Sequence, residues 1–220
     1  MSTTLYFAPG ACSFVPHCLL EMSGAAYEPM MIKLHKGEQA TDAYRAINPR
    51  GQVPVLVQDG TVVTQILAIC NYLNDRFPEQ HFLPSDPLAK AKALETLAWM
   101  NNTAHPTFTH FFMPAKFTDD SAAQAAVKAY NAAQFGKVLH ELQIMVAGLT
   151  PDKPWLSGTH FGPLDAYALT LMRWGGYAGI DPTTMPALWA HSQKMAEIPA
   201  VARVIERERL QLNVFVPSAS

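Results

Sequence analysis

The stretch Asn48-Pro49-Arg50-Gly51-Gln52-Val53-Pro54-Val55-Leu56-Val57 decides the fold, because it puts a proline where a strand begins. Pro54 cannot donate to a sheet ladder, so the strand presents an edge or a tight bend at this point. The N–H and C=O groups of Val53 are then free. With a cis Val53–Pro54 bond, which the sequence leaves open, both groups would point outward and pair with an extended peptide. The alternative is a loop followed by an ordinary strand, closed by the Asp59-Gly60 turn.

The segments on either side of this stretch predict a layered α/β unit. A short apolar strand over 4–8 ends at the Pro9-Gly10 turn, and a helix follows from about Ser13 to Met22. A second strand is predicted over 27–34, a short helix over 41–46, two strands around Asp59-Gly60, and a helix over 64–77. This β-α-β-α-β-β-α order matches a thioredoxin-like layer of helices on a mixed sheet, which we assign to residues 1–80.

The rest of the chain is predicted to be helical. Residues 81–86 form a polar linker punctuated by prolines, and Asp86-Pro87 has the pattern of a helix cap followed by proline. Helical spacing then carries one helix to about His105, where Pro106 is expected to interrupt it, and further helices follow. The predicted fold class is therefore α+β, with an N-terminal thioredoxin-like α/β domain followed by an all-α helical domain over 87–220.

Composition and charge narrow the possible functions. The 220 residues carry 16 basic and 18 acidic side chains, a net charge of −2, so no basic field favours nucleic acid or an anionic membrane as a partner. Three cysteines without CxxC spacing argue against a disulfide framework and against a zinc knuckle. Residues 1–10 lack the features of a signal peptide and no apolar run reaches about 18 residues, which predicts a soluble cytoplasmic protein. His105 and His110, without a carboxylate between them, do not suggest a metal site.

A set of motifs spread along the chain resembles one family. They are Pro9-Gly-Ala-Cys-Ser13, Ala46-Ile-Asn-Pro-Arg-Gly-Gln-Val-Pro54, Trp155-Leu-Ser-Gly158, Asp165-Ala-Tyr167 and Ile198-Pro-Ala-Val201. In this order they are similar to cytosolic glutathione transferases, nearest the bacterial beta class, from Leu5 to about Leu210. The resemblance implies a homodimeric detoxification enzyme that uses glutathione as co-substrate, without a metal, and transfers its thiol to hydrophobic electrophiles. It places the glutathione site in residues 1–80 and a hydrophobic substrate pocket in the helical domain.

Cys12 and His105 are the candidate catalytic residues. Cys12 lies just before the first helix, where the helix dipole and free N–H groups would lower the pKa of its thiol, although most free cysteines are small buried hydrophobes. The resemblance implies that Cys12 meets the glutathione sulfur, as nucleophile or as thiol-exchange partner. His105 aligns with the histidine that faces this cysteine if the chain lacks about three residues before it. Otherwise His105 is a partner of the dipole at a helix C-terminus.

The resemblance also assigns a glutathione site and an apolar pocket. The glutathione-binding residues that it implies are Ser13, Lys36, Gln52, Val53, Pro54, Gln65, Ile66 and Asn101, with His35 as an alternative to Lys36 for the glycine carboxylate. Candidate residues for the substrate pocket are Phe108, Phe111, Phe112, Met113, Phe117 and Trp174. Aromatic residues at this spacing more often belong to a core, so these side chains are predicted either to line the pocket or to fill the helical domain.

Gln65-Ile66 departs from the family pattern, in which an acidic residue and a serine hold the γ-glutamyl amine and carboxylate. Gln65 carries no charge and Ile66 no hydroxyl. Since a hydrogen bond to a charged group contributes about 1.5–3 kcal/mol, glutathione binding would weaken about 10²- to 10⁴-fold. The backbone N–H of Ile66, at a helix N-terminus, can still bind a carboxylate. Three functions stay open: glutathione transfer to electrophiles or disulfides, glutathione-dependent isomerisation or dehalogenation, and non-catalytic binding on the same fold.

Overall fold

The computed structural model describes residues 2–217. Met1, at the start of the first predicted domain, and residues 218–220, at the end of the second, lie outside the described residues. The strands are β1 (Thr3–Phe7), β2 (Glu28–Met31), β3 (Val55–Gln58) and β4 (Thr61–Thr64). They form one mixed sheet in the order β2-β1-β3-β4. β1 runs parallel to β2 and antiparallel to β3, and β3 pairs antiparallel with β4.

Helices pack on both faces of this sheet. They are α1 (Phe14–Ser23), α2 (Asp42–Ile47) and α3 (Ile66–Arg76). Alternate residues of β1 serve opposite faces: Leu5 belongs to the main core with α1 and α3, whereas Tyr6 packs in the smaller cluster around Tyr44 of α2. β2 is shorter than the predicted strand over 27–34, because a 3₁₀ helix already begins at Leu34. The element order is that of the predicted thioredoxin-like unit.

The second half of the chain is helical, as predicted. Its helices are α4 (Pro87–Trp99), α5 (His105–Phe112), α6 (Ser121–Ala147), α7 (Pro163–Tyr177), α8 (Pro186–Ala196) and α9 (Pro199–Glu208). α7 is buried from Pro163 to Gly176 and packs against α1, α6 and α8, so it carries the core that the two halves share. No helix within residues 2–217 is long and apolar enough to cross a membrane.

The interruption predicted at Pro106 is wrong. α4 continues through a π-helical turn (Met100–Ala104) into α5, and the His105 N–H donates to the C=O of Met100, five residues earlier. A proline ring inside a regular α-helix collides with the carbonyl four residues back, whereas the wider π-turn lets the chain pass Pro106 near the start of α5. His105 therefore begins a helix, and its interpretation as a partner of a helix C-terminus is also wrong.

Asp165 fixes the start of α7. Its buried carboxylate accepts from the backbone N–H groups of Leu156, Ser157 and Gly162 at 2.8, 3.2 and 3.1 Å. Nε2 of His191 on α8 lies 2.9 Å from the same carboxylate. The loop before α7, the first turn of α7 and α8 thus depend on one side chain, because these buried and partly buried donors need an acceptor.

We expect Asp165→Ala to lower the free energy of unfolding by about 3–5 kcal/mol, because buried donors lose their acceptor. Urea denaturation followed by circular dichroism measures this loss. Asp120→Ala is the matched control, since Asp120 caps α6 from an exposed position by accepting from Ala122 and Ala123. The control should lose about 1 kcal/mol. Equal losses in the two variants would contradict the assignment.

Candidate active site

A cavity of about 840 Å³ lies between the sheet-bearing half and the helical half. Its walls are the turn before α1, the loop before β3, the start of α3, α5 with the 3₁₀ helix Pro114–Lys116, the end of α7 and residues 208–211. This volume is typical of pockets that bind small molecules.

The turn Pro9–Cys12, which joins β1 to α1, is held by two hydrogen bonds from the helical half. The Gly10 N–H donates to Oε2 of Glu208 at 2.8 Å, and the Gly10 C=O accepts from Nε1 of Trp174 at 2.9 Å. Gly10 has a φ of +69°, and a Cβ there would lie 3.1 Å from a terminal nitrogen of Arg173. Any other residue would be strained at this position, so the turn that leads to Cys12 requires glycine here.

Cys12 is a buried thiol whose Sγ donates to the C=O of Val53 at 3.6 Å. Burial raises the pKa of the Cys12 thiol to about 12, although the backbone N–H groups of Cys12 and Ser13 act in the opposite direction. The lowered pKa predicted from the sequence is therefore wrong. α1 begins two residues beyond Cys12, at Phe14, and the loss of hydration outweighs the favourable charge of the helix N-terminus.

Val53 presents its backbone to the cavity. The Val53–Pro54 peptide bond is cis, and β3 begins at Val55, immediately after it. The C=O of Gln52 is occupied by the Tyr44 hydroxyl at 2.9 Å and by Nδ2 of Asn48 at 2.8 Å. In contrast, the Val53 N–H has no hydrogen-bond acceptor within residues 2–217. An extended peptide that entered the cavity could therefore pair with it.

His105 lies on the opposite wall of the cavity. Its Nδ1 is 2.7 Å from the Tyr167 hydroxyl, and its ring meets the Trp174 ring edge to face, with centroids 4.7 Å apart. Burial, and to a lesser degree the charge of Lys116, lowers the pKa of His105 to about 4. The imidazole is thus neutral at physiological pH. Asn101, one turn earlier on the π-turn, lines the same cavity.

The start of α3 forms the remaining wall. Gln65 precedes the helix with φ +72° and ψ +128°, a conformation that a side chain rarely adopts. The side chain of Gln65 is exposed, whereas that of Ile66 is only 3% exposed and belongs to the main core. The first N–H groups of α3 have no partner inside the helix and can bind an anion.

The cavity brings together most of the residues predicted from the sequence. Those that line it are Cys12, Gln52, Val53, Pro54, Gln65, Ile66, Asn101, His105, Phe108, Phe112, Met113, Phe117 and Trp174. Phe108 stacks on Trp174 with ring centroids 4.5 Å apart, and Phe112 lies 5.2 Å from Phe108. The aromatic residues therefore form a connected apolar wall beside His105.

Three predicted site residues lie elsewhere. Ser13 is fully buried, and its hydroxyl bonds to the N–H and C=O of Ala8 at 3.0 and 3.2 Å, so it holds the turn together instead of facing the cavity. Lys36 and its alternative His35 are exposed on a 3₁₀ helix outside the cavity wall. Phe111 faces the core of the helical half, one residue out of phase with Phe112.

Several residues of the wall were not predicted. Gln39, from the loop after β2, has a buried Oε1 with no hydrogen-bond partner among the described residues. Tyr177 lies at the end of α7, with its ring centroid 5.7 Å from that of Phe112. Tyr177 follows Trp174 by three residues, and this helical spacing was the available signal; no such signal marks Gln39. In residues 2–217, no group of three or more His, Cys, Asp or Glu side chains could hold a metal ion.

The comparisons with known proteins agree with this architecture. Residues 1–75 match the family model of the glutathione S-transferase N-terminal domain. Over 210 residues, 94% of this chain, the sequence is 31% identical to glutathione S-transferase GstA of Escherichia coli O157:H7 and covers 99% of it. The chain belongs to the glutathione S-transferase family. The family resemblance stated from the sequence motifs is thus confirmed.

Solved structures of the glutathione S-transferase family superimpose closely. A glutathione transferase homologue from Sulfitobacter with bound glutathione has a TM-score of 0.87 at 25% identity, over 95% of this chain and 99% of that one. A sphingomonad glutathione S-transferase complexed with glutathione has a TM-score of 0.80 at 31% identity, over 94% of this chain and 100% of that one. The fold of this family member is therefore confirmed along nearly its whole length.

We expect the alkylation of Cys12 by iodoacetamide, in the absence of glutathione, to accelerate about tenfold per pH unit between about pH 6 and 9. The reason is that the reactive thiolate is a small fraction of the thiol at any pH below a pKa of about 12. Peptide mapping by mass spectrometry separates Cys12 from Cys18 and Cys70. The urea-unfolded chain is the control, and its rates should level off near the ordinary thiol pKa of about 8.5. A plateau below pH 9 in the folded protein would contradict the raised pKa.

Proposed function

We propose that this protein transfers the thiol of glutathione to a hydrophobic electrophile. The observation that carries the proposal is the hydrogen bond from Cys12 to the C=O of Val53, at 3.6 Å. The family resemblance assigns the Val53 backbone to the cysteinyl unit of glutathione, so glutathione bound along Val53 would have its sulfur beside Cys12. The aromatic wall begins across the cavity from this point and supplies an apolar site for the second substrate.

Other features of the cavity suit the rest of the tripeptide. The free N–H of Val53 can pair with the cysteinyl carbonyl, and the first N–H groups of α3 can hold the γ-glutamyl carboxylate. The Gln65 side chain stands at that helix start and can accept from the γ-glutamyl ammonium through its carbonyl. Since Lys36 lies outside the wall, we assign the glycine end to the loop that contains Gln39. Asn101 approaches from the helical half.

The pKa of Cys12 favours conjugation over thiol–disulfide exchange. Exchange needs a thiolate, and a thiol with a pKa of about 12 is ionised in about one molecule in 10⁵ at neutral pH. When glutathione pairs with the Val53 backbone, the S–H of Cys12 can turn away from the C=O of Val53 and donate its one hydrogen bond to the sulfur of glutathione instead. Such a bond stabilises the negative charge on that sulfur and so lowers the pKa of the glutathione thiol.

The reaction then needs no covalent bond to the protein. The glutathione thiol loses its proton to solvent, and its sulfur forms a bond to the electrophilic carbon while the leaving group departs with its bonding pair. With Nδ1 bonded to Tyr167, Nε2 is the ring atom of His105 left to contact a substrate. His105 is neutral at pH 7, so it acts by orienting the substrate and does not contribute a positive charge.

A cytoplasmic homodimer, which the sequence and the family resemblance predict, stays part of this proposal. Sedimentation of the purified chain tests the oligomeric state. Glutathione-dependent isomerisation or dehalogenation remains the alternative that shares the same glutathione site, and a screen of such substrates separates it from conjugation. Non-catalytic binding remains the alternative without turnover.

We expect Cys12→Ser to keep kcat/KM for conjugation of chlorodinitrobenzene within about tenfold of the unchanged protein, because the hydroxyl still donates to the glutathione sulfur. Cys12→Ala removes the donor and should lower kcat/KM about 10²-fold. The ultraviolet absorbance of bound glutathione, titrated with pH, reports its thiol pKa, which should rise by about one to two units in Cys12→Ala alone.

Two results would overturn this role of Cys12. One is equal loss of conjugation in the serine and alanine variants, with unchanged thermal unfolding. The other is rapid reduction of a small disulfide by the unchanged protein that disappears in Cys12→Ser, which would identify Cys12 as a thiol-exchange residue. Absence of both activities, with glutathione still bound, would favour the non-catalytic alternative.

We expect Gln65→Glu to tighten glutathione binding about 5- to 30-fold, because a carboxylate forms a stronger bond to the γ-glutamyl ammonium than an amide does. Titration calorimetry measures the dissociation constant of glutathione, which we expect to lie between micromolar and low millimolar for the unchanged protein. Glutaryl-cysteinylglycine, which lacks only the amine, is the control ligand and should bind both proteins alike. Gln193→Glu, an exposed change outside the cavity, is the control variant. No heat from the unchanged protein at about 10 mM glutathione, restored by Gln65→Glu, would show that the protein has lost this ligand.

A further inference from the structure

The charged side chains of the cavity wall are mostly cationic. Lys116, Arg173 and Arg209 line it, and Glu208 is the one carboxylate of the wall among the described residues. Glu208 is already committed within the protein, since it lies 2.7 Å from Nδ1 of His17 and accepts from a backbone N–H at 2.8 Å. Three positive side chains against one carboxylate leave the described part of the wall with a net positive charge.

Arg173 is the most telling of these cations. Its side chain is only 4% exposed, and Nε donates to the C=O of Gln211 at 2.6 Å. Within residues 2–217 no carboxylate oxygen lies within 4 Å of its guanidinium. Burial lowers the pKa of Arg173, and the neighbouring Tyr177 and Glu208 offset this effect only in part. A buried charge without an ion-pair partner is costly, and an anionic ligand would relieve that cost.

The three cations lie on the side of the cavity that glutathione does not use in the proposed pose. Its two carboxylates are assigned to the start of α3 and to the loop after β2, both in the sheet-bearing half. Arg173 is on α7, Lys116 follows α5, and Arg209 directly follows α9. The guanidinium of Arg173 lies against Gly10, two residues from Cys12, so an anion bound there would be close to the reacting sulfur.

Exposed apolar side chains surround the same cations. Phe117 follows Lys116 directly and is 48% exposed, and Tyr177, one turn after Arg173, is 49% exposed. Phe112 lines the same wall, with its ring centroid 5.7 Å from that of Tyr177. This wall would bind an aromatic ring while the cations bind a negative group attached to it.

We propose that the second substrate is an aromatic or similarly apolar electrophile that carries a carboxylate or another anionic group, bound by Arg173, Lys116 and Arg209. The proposal rests on the transferase function proposed above and adds the charge of the acceptor. It does not concern the glutathione site.

A matched pair of acceptors tests it: a chlorodinitrobenzoate with chlorine para to the carboxylate, and its uncharged methyl ester. In both, the glutathione sulfur bonds to the ring carbon, chloride leaves with the bonding pair, and the thiol proton goes to solvent. We measure kcat/KM for each and divide it by the uncatalysed rate constant, which removes the intrinsic difference in reactivity. The ratio of acid to ester should be about 10 or more, as expected for a charge-assisted hydrogen bond.

Substitutions then locate the effect. Arg173→Gln should lower the acid-to-ester ratio about tenfold, and Lys116→Gln and Arg209→Gln, which change exposed residues, about two- to fivefold each. Lys128→Gln is the control with the same change of charge, because Lys128 is exposed on α6 and does not line the cavity. It should leave the ratio unchanged. The two exposed variants keep the test valid if Arg173→Gln fails to fold.

The outcomes separate this inference from the proposed function. Conversion of the ester without preference for the acid would overturn the anionic acceptor and leave the transferase function standing. A preference for the acid that survives in every folded variant, or falls equally in Lys128→Gln, would overturn the assignment to these residues. Conversion of neither compound would overturn both proposals.

Discussion

The buried carboxylate of Glu208 is the interaction on which the geometry of the cavity depends. It accepts from the Gly10 N–H at 2.8 Å and lies 2.7 Å from Nδ1 of His17, with both side chains fully shielded from solvent. A carboxylate in that position is tolerated only while its partners stay in place, so the end of α9, the turn before Cys12 and α1 are fixed as one unit. Residues near the end of the chain thereby determine where a thiol near its beginning sits. The two halves cannot separate without exposing this carboxylate or leaving it unpaired.

The same burial that fixes the cavity sets its chemistry. Cys12 and His105 both line the cavity as uncharged groups. Desolvation raises the pKa of the thiol to about 12 and lowers the pKa of the imidazole to about 4. A thiolate–imidazolium pair is thus disfavoured at both ends. The cavity instead offers neutral hydrogen-bonding groups at Cys12 and His105, and positive charge at Lys116 and at Arg173, whose guanidinium lies against Gly10. Under the proposed function, such a site would stabilise negative charge brought by the substrates without a reactive protein thiolate.

The sequence predicted the helices and strands, whose signals are local. It missed the features that depend on burial and on contacts between distant residues. Alternating and helical apolar patterns gave the thioredoxin-like order and the helical half, and the motif at Val53-Pro54 marked the cavity. The helix continues past Pro106 because the π-turn before it avoids the collision between the proline ring and a backbone carbonyl. No residue pattern in the sequence predicts such a turn. The direction of the Cys12 pKa shift depended on the burial of that thiol, which position relative to a helix does not reveal. Ser13 was misplaced for a related reason: its hydroxyl bonds inward to Ala8.

The strained backbone at Gln65 is the remaining feature that sequence could not show, and it bears on how the site works. A residue with a side chain at φ +72° costs about 1–3 kcal/mol, and glycine would remove that cost. Glycine, however, has no side chain that could form a hydrogen bond to a ligand at the start of α3, where the first N–H groups of the helix are unpaired within the helix. Fixing Ile66 in the core holds the helix start rigid and so maintains the strain. The conformation therefore places one polar side chain beside a helix end whose first N–H groups can bind an anion, which under the proposed function is the position of the γ-glutamyl group.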